Sequence, residues 1–498
     1  MSTQADMKQT FIPFFFLFLS SLHAAKYFDF NASARNAYQK VLSLRFVEAR
    51  IAIEEMKQGE PDNMVGPLVE NYFEFLQIFV DDDRAAYKRL SKNMDARIDK
   101  VSRGDRNSPW NLYCQAEIRL QWAVLRGRFG DQISSLSDIK QAYALLEENQ
   151  RKHPDFVANK KSLGIIHAIV GNVPEEYRWA IKAAGGMTGT VDQGLAELDA
   201  VLVYAKNNDF PFEEETLVAY SFLQLYLNNQ DTKAWNTLKN SRLNPTTNPL
   251  AAYALANMAI KLGKTDEAIR LLENAPVGGA FHPFYYRNYL LGMAKLYRLD
   301  LDANLPLQQF TKTFPGQNAL KETYQKLAWH HLVHGNESGY RTYIGYVKNK
   351  GSQQSDPDKA ALREANSGEI PDPVLLRARL LFDGGYYIRA NELLKDVAPD
   401  YTGQRKNKLE YTYRMGRINH KLGRVQEAIR LYTQTIDSGA KEPWYFACNA
   451  ALQLGALQEE NRDLKSARTA YQRCLSIHPQ EYASSLHARA KAGLGRCN

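Results

Sequence analysis

The chain has 498 residues, with 63 Lys and Arg against 55 Asp and Glu, which leaves a formal charge of +8. Its composition of 44% apolar and 24% charged residues is that of a folded protein with a large core, and it excludes a disordered or collagen-like chain. The excess positive charge falls short of the concentrated basic surface of a nucleic-acid-binding protein, so no nucleic-acid partner is expected.

Residues 1–25 have the features of a secretory signal peptide. Lys8 precedes the apolar run 11–19, and a stretch of small residues ending in Ala24 and Ala25 follows. The run is too short for a membrane-spanning helix, which needs about 20 residues. A buried N-terminal helix or strand is the alternative. No later apolar stretch reaches spanning length, so we expect an exported, periplasmic mature chain with no transmembrane helix.

Apolar residues recur with a helical period through nearly all of the remaining chain. Between residues 34 and 56 they form one stripe, which predicts a single long amphipathic helix. Turn signals built from Gly, Pro and Asn then recur and leave intervals of about 12 to 20 residues, the usual length of a globular helix. The sequence therefore predicts a chain of helical hairpins.

The polar segment 350–373, which contains several Gly and Pro, is the clearest interruption of this pattern. It is expected to be a long loop that carries one short helix. Before this segment the mature chain has an irregular helical-hairpin region, 26–240, and a region of degenerate repeats, 241–349. After it come better-formed repeats with a closing helix, 374–498. These parts are expected to pack as one superhelix.

A motif recurs at fixed offsets near the C-terminus. Two copies share the order Gly, Ala, Tyr: Gly416, Ala428 and Tyr432, then Gly455, Ala467 and Tyr471 with a following Pro479. These are the offsets of the tetratricopeptide repeat (TPR), in which small residues let two antiparallel helices approach closely and the aromatic fills the gap to the next hairpin. Gly292 opens a degenerate copy upstream. The predicted fold is all-α, an α-solenoid of antiparallel helix hairpins in a TPR-like superhelix.

Longer stretches resemble the family of eukaryotic tetratricopeptide repeat protein 39 and its yeast mitochondrial outer-membrane relative. The resemblance rests on the order of motifs along most of the mature chain: WNLYCQAEIRLQ (110–121), Leu163-Gly164, Val173-Pro174, Arg178-Trp179, Gly185-Gly186 through Gly194-Leu195, LAWHHLVHG (327–335) and LLFDGGYY (380–387). It implies a helical scaffold without catalytic residues, and the yeast relative is linked to lipid droplets and clearance of protein inclusions. The apparent export signal departs from that family and indicates a bacterial relative.

No catalytic or metal-binding constellation is recognised. His330 and His334 share one helical face, as two metal ligands would, but the Glu of a metalloprotease helix is missing and no third ligand is identifiable. Packing is therefore preferred to a metal-assisted hydrolase site. The acidic run 81–83 is interpreted as a helix cap in preference to a cation site. We expect no cofactor, no bound metal and no enzymatic activity.

Two sets of side chains are candidates for partner binding, because the first helix of each hairpin lines the groove in the TPR proteins that this sequence resembles. Counting from Gly416 and Gly292, and adding one upstream arginine, gives Tyr413, Arg417, His420, Lys421, Tyr286, Tyr289, Tyr297 and Arg379. The basic members belong to a stripe over 414–424 that is either a solvated face, partly neutralised by Glu459 and Glu460, or a site for an anionic partner. The tyrosines are either contact residues or packing between hairpins.

The predicted function is that of an exported, non-enzymatic scaffold whose concave groove binds a protein or peptide partner. A chaperone-tail adaptor is disfavoured, because the basic and Asn positions that clamp a terminal carboxylate are not reproduced. Recognition of an anionic lipid or glycan at a membrane surface is the alternative. Cys448 and Cys474 fall at neighbouring ends of antiparallel helices. A disulfide and a pair of buried free thiols both fit these positions, and the free thiols are preferred.

Overall fold

The computed structural model describes residues 26–173, 186–228, 230–397 and 404–497. Outside these ranges lie the predicted signal peptide, 1–25, and four residues of the motif series, namely Pro174, Arg178, Trp179 and Gly185. Across the described ranges the structure contains 25 helices, and an isolated bridge joins Tyr27 to Asn63. The predicted all-α solenoid is confirmed.

The helices up to residue 239 are α1 (Ala32–Leu42), α2 (Phe46–Gly59), α3 (Gly66–Asp81), α4 (Arg84–Leu90), α5 (Asn93–Ser102), α6 (Pro109–Arg128), α7 (Gln132–Lys152), α8 (Ala158–Gly171), α9 (Val191–Ala205), α10 (Glu213–Leu227) and α11 (Asp231–Lys239). The remainder are α12 (Pro249–Lys261), α13 (Thr265–Glu273), α14 (Tyr285–Arg298), α15 (Asn304–Thr313), α16 (Leu320–Val333), α17 (Glu337–Asn349), α18 (Asp356–Ser367), α19 (Pro373–Asp383), α20 (Tyr387–Lys395), α21 (Arg405–Lys421), α22 (Val425–Gly439), α23 (Phe446–Glu460), α24 (Leu464–Leu475) and α25 (Ala483–Arg496). None of these helices is long and apolar enough to cross a membrane.

Three-residue turns of one kind close the hairpins α1/α2, α6/α7, α12/α13, α16/α17, α19/α20, α21/α22 and α23/α24. The middle residue of each turn has a positive φ, and the residue after it donates its backbone N–H to the carbonyl five positions earlier. This is the Schellman arrangement, which satisfies carbonyls at the end of the first helix. The middle residue is glycine in five of the turns, and it is Leu44 and Arg462 in the other two.

The prediction of one long helix over 34–56 was wrong, because the chain reverses at Leu44. This residue has φ of 58° and is fully buried, and α1 and α2 pack on either side of it. Val47 and Ile51 were counted into the buried stripe, but they are 74% and 55% exposed. A left-handed leucine carries no turn signal in a sequence, so the two helices were merged.

Close packing within the C-terminal hairpins depends on the small residues of the repeat motif. A Cβ atom at Gly416 would lie 2.9 Å from the ring of Tyr432, and one at Gly455 would lie 2.6 Å from the ring of Tyr471. One at Gly292 would lie 2.5 Å from Leu307. The motif residues Ala428, Ala467 and Pro479 are buried. The Cys448 and Cys474 sulfur atoms are 3.5 Å apart as free, buried thiols.

The N-terminal helices also contact the middle of the array. Asp82, whose side chain is 1% exposed, accepts hydrogen bonds from the backbone N–H groups of Gln317 and Asn318 at 2.9 and 3.0 Å and pairs with Arg128. Its neighbour Asp83 accepts from two backbone N–H groups at the start of α4, so helix capping is confirmed there. The carboxylates of this run therefore bind protein groups.

The segment 350–373 contains α18, a helix of 12 residues. Asp358 within it is fully buried and accepts hydrogen bonds from the backbone N–H groups of Ala319 and Glu322, at the start of α16. The segment is thus packed onto the preceding hairpin. Division of the chain at this segment stays a prediction.

Candidate functional site

A polar cavity of about 170 Å³ lies where three consecutive first helices, α19, α21 and α23, stand side by side. We call it the arginine cavity. Its lining residues are Arg379, Phe382, Asp383, Tyr413, Arg414, Arg417, Tyr445 and Asn449. Residues four apart project from one face of a helix, which explains why Arg379 with Asp383 and Tyr413 with Arg417 reach the same space.

Arg417 is the central cation of the arginine cavity. Its Nη1 donates a hydrogen bond to the hydroxyl of Tyr413 at 2.9 Å, and its guanidinium lies 4.6 Å from the centre of the Phe382 ring. Among the residues that the structure describes, no carboxylate lies within ion-pair distance of Arg417. Burial lowers the pKa of Arg489 on α25, and the nearby positive charge of Arg417 lowers it further. The arrangement leaves an excess of positive charge here.

The other two arginines of the cavity each have an acidic neighbour. Arg414 forms an ion pair with Glu410 one turn earlier on the same helix. Arg379 stacks 4.8 Å from the Trp329 ring, and its Nε is 3.7 Å from the carboxylate of Asp383, a long ion pair. Neither carboxylate lies within ion-pair distance of Arg417, although Asp383 lines the same cavity, so the guanidinium groups of Arg379 and Arg417 are the two best placed to bind an added anion.

Tyr413 contributes a hydrogen-bond donor to the cavity. Its hydroxyl oxygen accepts from Arg417 Nη1 and from Asn449 Nδ2 at 2.9 and 2.7 Å, which leaves its own O–H to donate. Burial raises the pKa of Tyr445, against the opposing effect of the nearby arginines, so this phenol is neutral. Two guanidinium groups and one hydroxyl therefore converge as donors suited to a carboxylate.

The remaining basic candidates lie outside the arginine cavity. His420 contacts the Tyr432 hydroxyl at 3.1 Å and Glu460 at 3.2 Å, while Lys421 is exposed. Glu459 pairs with Arg496 instead of with the stripe. The stripe over 414–424 is therefore not one continuous exposed face, which gives less support to binding at a charged membrane surface.

The three candidate tyrosines, Tyr286, Tyr289 and Tyr297, are engaged in packing between the middle hairpins. Tyr286 contacts the rings of Phe310 and Phe314, and the Tyr289 hydroxyl donates to Glu322 at 2.6 Å. The Cβ of Tyr297 lies 2.8 Å from the position that a Cβ on Gly384 would take. Burial raises the pKa of all three phenols. The structure does not bring these tyrosines to the arginine cavity.

His330 in α16 and His334 directly after it are hydrogen-bonded to backbone carbonyls. His330 Nε2 is 3.0 Å from the carbonyl of Leu301, and His334 Nδ1 is 2.7 Å from the carbonyl of His330. In the ranges that the structure covers, no three His, Cys, Asp or Glu side chains are grouped as metal ligands. Hydrogen bonding to carbonyls makes these two nitrogens donors, which leaves the lone pair of each neutral ring on its other nitrogen.

His330 is expected to make the protein less stable in acid. Burial, with the neighbouring His334, lowers its pKa to about 4, whereas an unfolded chain has a value of about 6.5. Between these values the unfolded state binds a proton that the folded state does not, so stability falls as pH drops from about 6.5 to about 4. We expect wild type to lose about 3 kcal/mol more than His330→Gln between pH 7 and pH 4, measured by urea unfolding. Parallel pH profiles would contradict this.

One comparison with known protein families agrees with the repeat motif. A family model of the tetratricopeptide repeat matches residues 449–481, which include most of α23 and all of α24. No curated protein matches the sequence significantly. The crystal structure of the P58(IPK) TPR domain is similar at 14% sequence identity, with 84% of this chain and 98% of that chain covered and a TM-score of 0.21. The chain thus carries a tetratricopeptide repeat at residues 449–481, within an all-helical array.

Proposed function

We propose that the chain is an exported, non-enzymatic scaffold that binds an acidic segment of a partner protein along α19, α21 and α23. The arginine cavity carries the proposal, because Arg417 is a largely enclosed cation without a carboxylate partner among the described residues. An enclosed charge is costly unless it is paired. A carboxylate from a partner would provide that pair.

The size of the cavity favours an anchor for one side chain over a site for a whole small molecule. Its volume is about 170 Å³, below the range of about 300–1,000 Å³ for small-molecule pockets. Arg and Tyr are among the residues that dominate binding energy at protein interfaces, and Arg379, Arg417 and Tyr413 line this cavity together. An Asp or Glu in the cavity, with neighbouring residues of the segment lying along the first helices, fits this geometry.

Charge reversal at the cavity tests the proposal. Wild-type protein should select peptides rich in Asp or Glu from a displayed library of random 12-residue peptides. Arg417→Glu should bind the selected peptide at least tenfold more weakly, because a desolvated carboxylate would face another carboxylate. Affinity is measured by fluorescence anisotropy with the purified protein.

We also propose that the chain is a bacterial relative of the tetratricopeptide repeat protein 39 family. This proposal rests on the order of motifs alone.

Arg430→Glu is the matched control, since Arg430 lies on the second helix α22 and pairs with Glu427 as an exposed residue. It should leave peptide affinity unchanged within about twofold. Circular dichroism and the melting temperature establish that both variants are folded. Selection of peptides without acidic residues, or equal losses in the two variants, would reject the arginine cavity as the partner site.

A further inference from the structure

A second cavity, far from the arginine cavity, lies among α3, α6, α7, α8, α10 and α12. Its volume is about 760 Å³, within the range of about 300–1,000 Å³ for small-molecule sites. Apolar side chains form most of its wall, including Phe75, Leu120, Val124, Ile165, Ile169 and Phe222. We call it the apolar cavity.

The apolar cavity is open at one side. Val124 and Ile169 line it and are 49% and 54% exposed. Leaving branched aliphatic side chains exposed forgoes about 25 cal/mol for each Å² of apolar surface, which a hydrocarbon ligand would recover. Space lined by aliphatic and aromatic groups favours apolar ligands over water.

Buried ionised groups at one end of the apolar cavity determine which ligand charge it accepts. Lys161 is 3% exposed and donates to Glu117 and Glu215 at 2.8 and 2.9 Å. Glu214, which is exposed, also lines the cavity, and partial desolvation and the adjacent Glu213 and Glu215 raise its pKa. Because carboxyl groups outnumber the single ammonium at this end, a ligand carboxylate or phosphate would be repelled.

Gln121 lines the same wall and carries a hydrogen-bond donor that none of the described residues uses. Asn71 Oδ1 accepts from Trp122 Nε1 and Arg97 Nη1, so Asn71 Nδ2 must point to Gln121, whose Oε1 accepts at 2.7 Å. This fixes the orientation of the Gln121 amide and leaves its buried Nε2 without a partner among the described residues. Leaving a buried donor unpaired is unfavourable, so a ligand oxygen that accepts from it would be favoured.

We propose that the apolar cavity binds one uncharged molecule with a long hydrocarbon chain and a carbonyl oxygen, such as a long-chain ester. The hydrocarbon would lie between Phe75, Ile165 and Phe222, and the carbonyl oxygen would accept from Gln121 Nε2. The site does not depend on the arginine cavity, which is formed by other helices. Its ligand binding is expected to persist in Arg417→Glu.

A pair of probes with the same hydrocarbon chain, one an uncharged methyl ester and the other a carboxylate, tests the chemistry. Nile red is bound to the purified protein and displaced with methyl tetradecanoate or with tetradecanoate at pH 8. The methyl ester should displace the dye at a concentration at least tenfold lower than the carboxylate. Equal potency of the two probes, or no displacement by either, would overturn the proposal.

Filling the mouth of the cavity tests the location. Ile169→Trp should reduce affinity for the methyl ester at least tenfold, and because Ile169 is 54% exposed the larger ring should leave the melting temperature nearly unchanged. Ile133→Trp is the control, since Ile133 is 86% exposed and does not line the cavity. Gln121→Glu retains an acceptor for Asn71 but removes the free donor, so it should also weaken binding of the ester. Wild-type affinity in both Ile169→Trp and Gln121→Glu would place the ligand elsewhere and refute the assignment.

Discussion

Replacing Lys161 with methionine is expected to lower the free energy of unfolding by about 3–5 kcal/mol. The ammonium group lies between the carboxylates of Glu117 and Glu215 and 4.8 Å from the Phe212 ring. Burial disfavours its charge, but the two carboxylates hold its pKa well above the usual value, so it is protonated at neutral pH. Removing the cation would leave two buried carboxylates facing each other, which is the costly outcome.

Urea unfolding at pH 7 measures this effect. Lys152→Met is the matched control, because Lys152 pairs with Glu148 on an exposed helix surface and its loss should cost less than about 1 kcal/mol. Combining Lys161→Met with Glu117→Gln should restore part of the lost stability by removing one of the orphaned charges. If Lys161→Met and Lys152→Met were equally stable, the buried ion pairs would not hold the N-terminal helices together.

Gly194→Ala is the second change for which we expect a large loss, of about 3 kcal/mol or more. A Cβ at this position would lie 2.3 Å from the carbonyl oxygen of Gly164 and 2.5 Å from the backbone nitrogen of Ala168. Both neighbours are backbone atoms of α8, which cannot rotate away as a side chain can. The methyl group would therefore force α8 and α9 apart.

Gly345→Ala provides the comparison for Gly194→Ala. Gly345 lies inside α17, and nothing is within 4 Å of its Cβ position. The same substitution should raise stability there by about 0.5–1 kcal/mol, because alanine favours the helix. Urea unfolding of both variants measures the difference. Similar stabilities would show that α8 and α9 can separate without cost.

The fold class was predictable because small and aromatic residues recur at fixed offsets, and Gly416 and Gly455 do contact Tyr432 and Tyr471. Five of the seven three-residue turns contain a glycine, which is a recognisable turn signal in a sequence, whereas the turn at Leu44 contains none. Its backbone conformation is imposed by the burial of the leucine between two helices. Tertiary packing overrides local preference at this position.

The candidate site was predictable in part. The repeat register placed Tyr413 and Arg417 on one face, and the structure brings Arg379 to the same cavity. Tyr445 and Asn449 were missed, although Asn449 precedes Gly455 by the same six residues that separate the candidate Tyr286 from Gly292. The apolar cavity could not be predicted, because helices as distant in sequence as α3 and α12 form it.

The contacts of Asp82 impose an order on folding during synthesis. The backbone amides of Gln317 and Asn318 that it binds lie 235 and 236 residues further along the chain. While a ribosome is still translating that interval, the carboxylate has only Arg128 as a partner, and the surface around it stays open to water. The contact between Asp82 and the middle of the array therefore cannot form until about two thirds of the polypeptide has been synthesised.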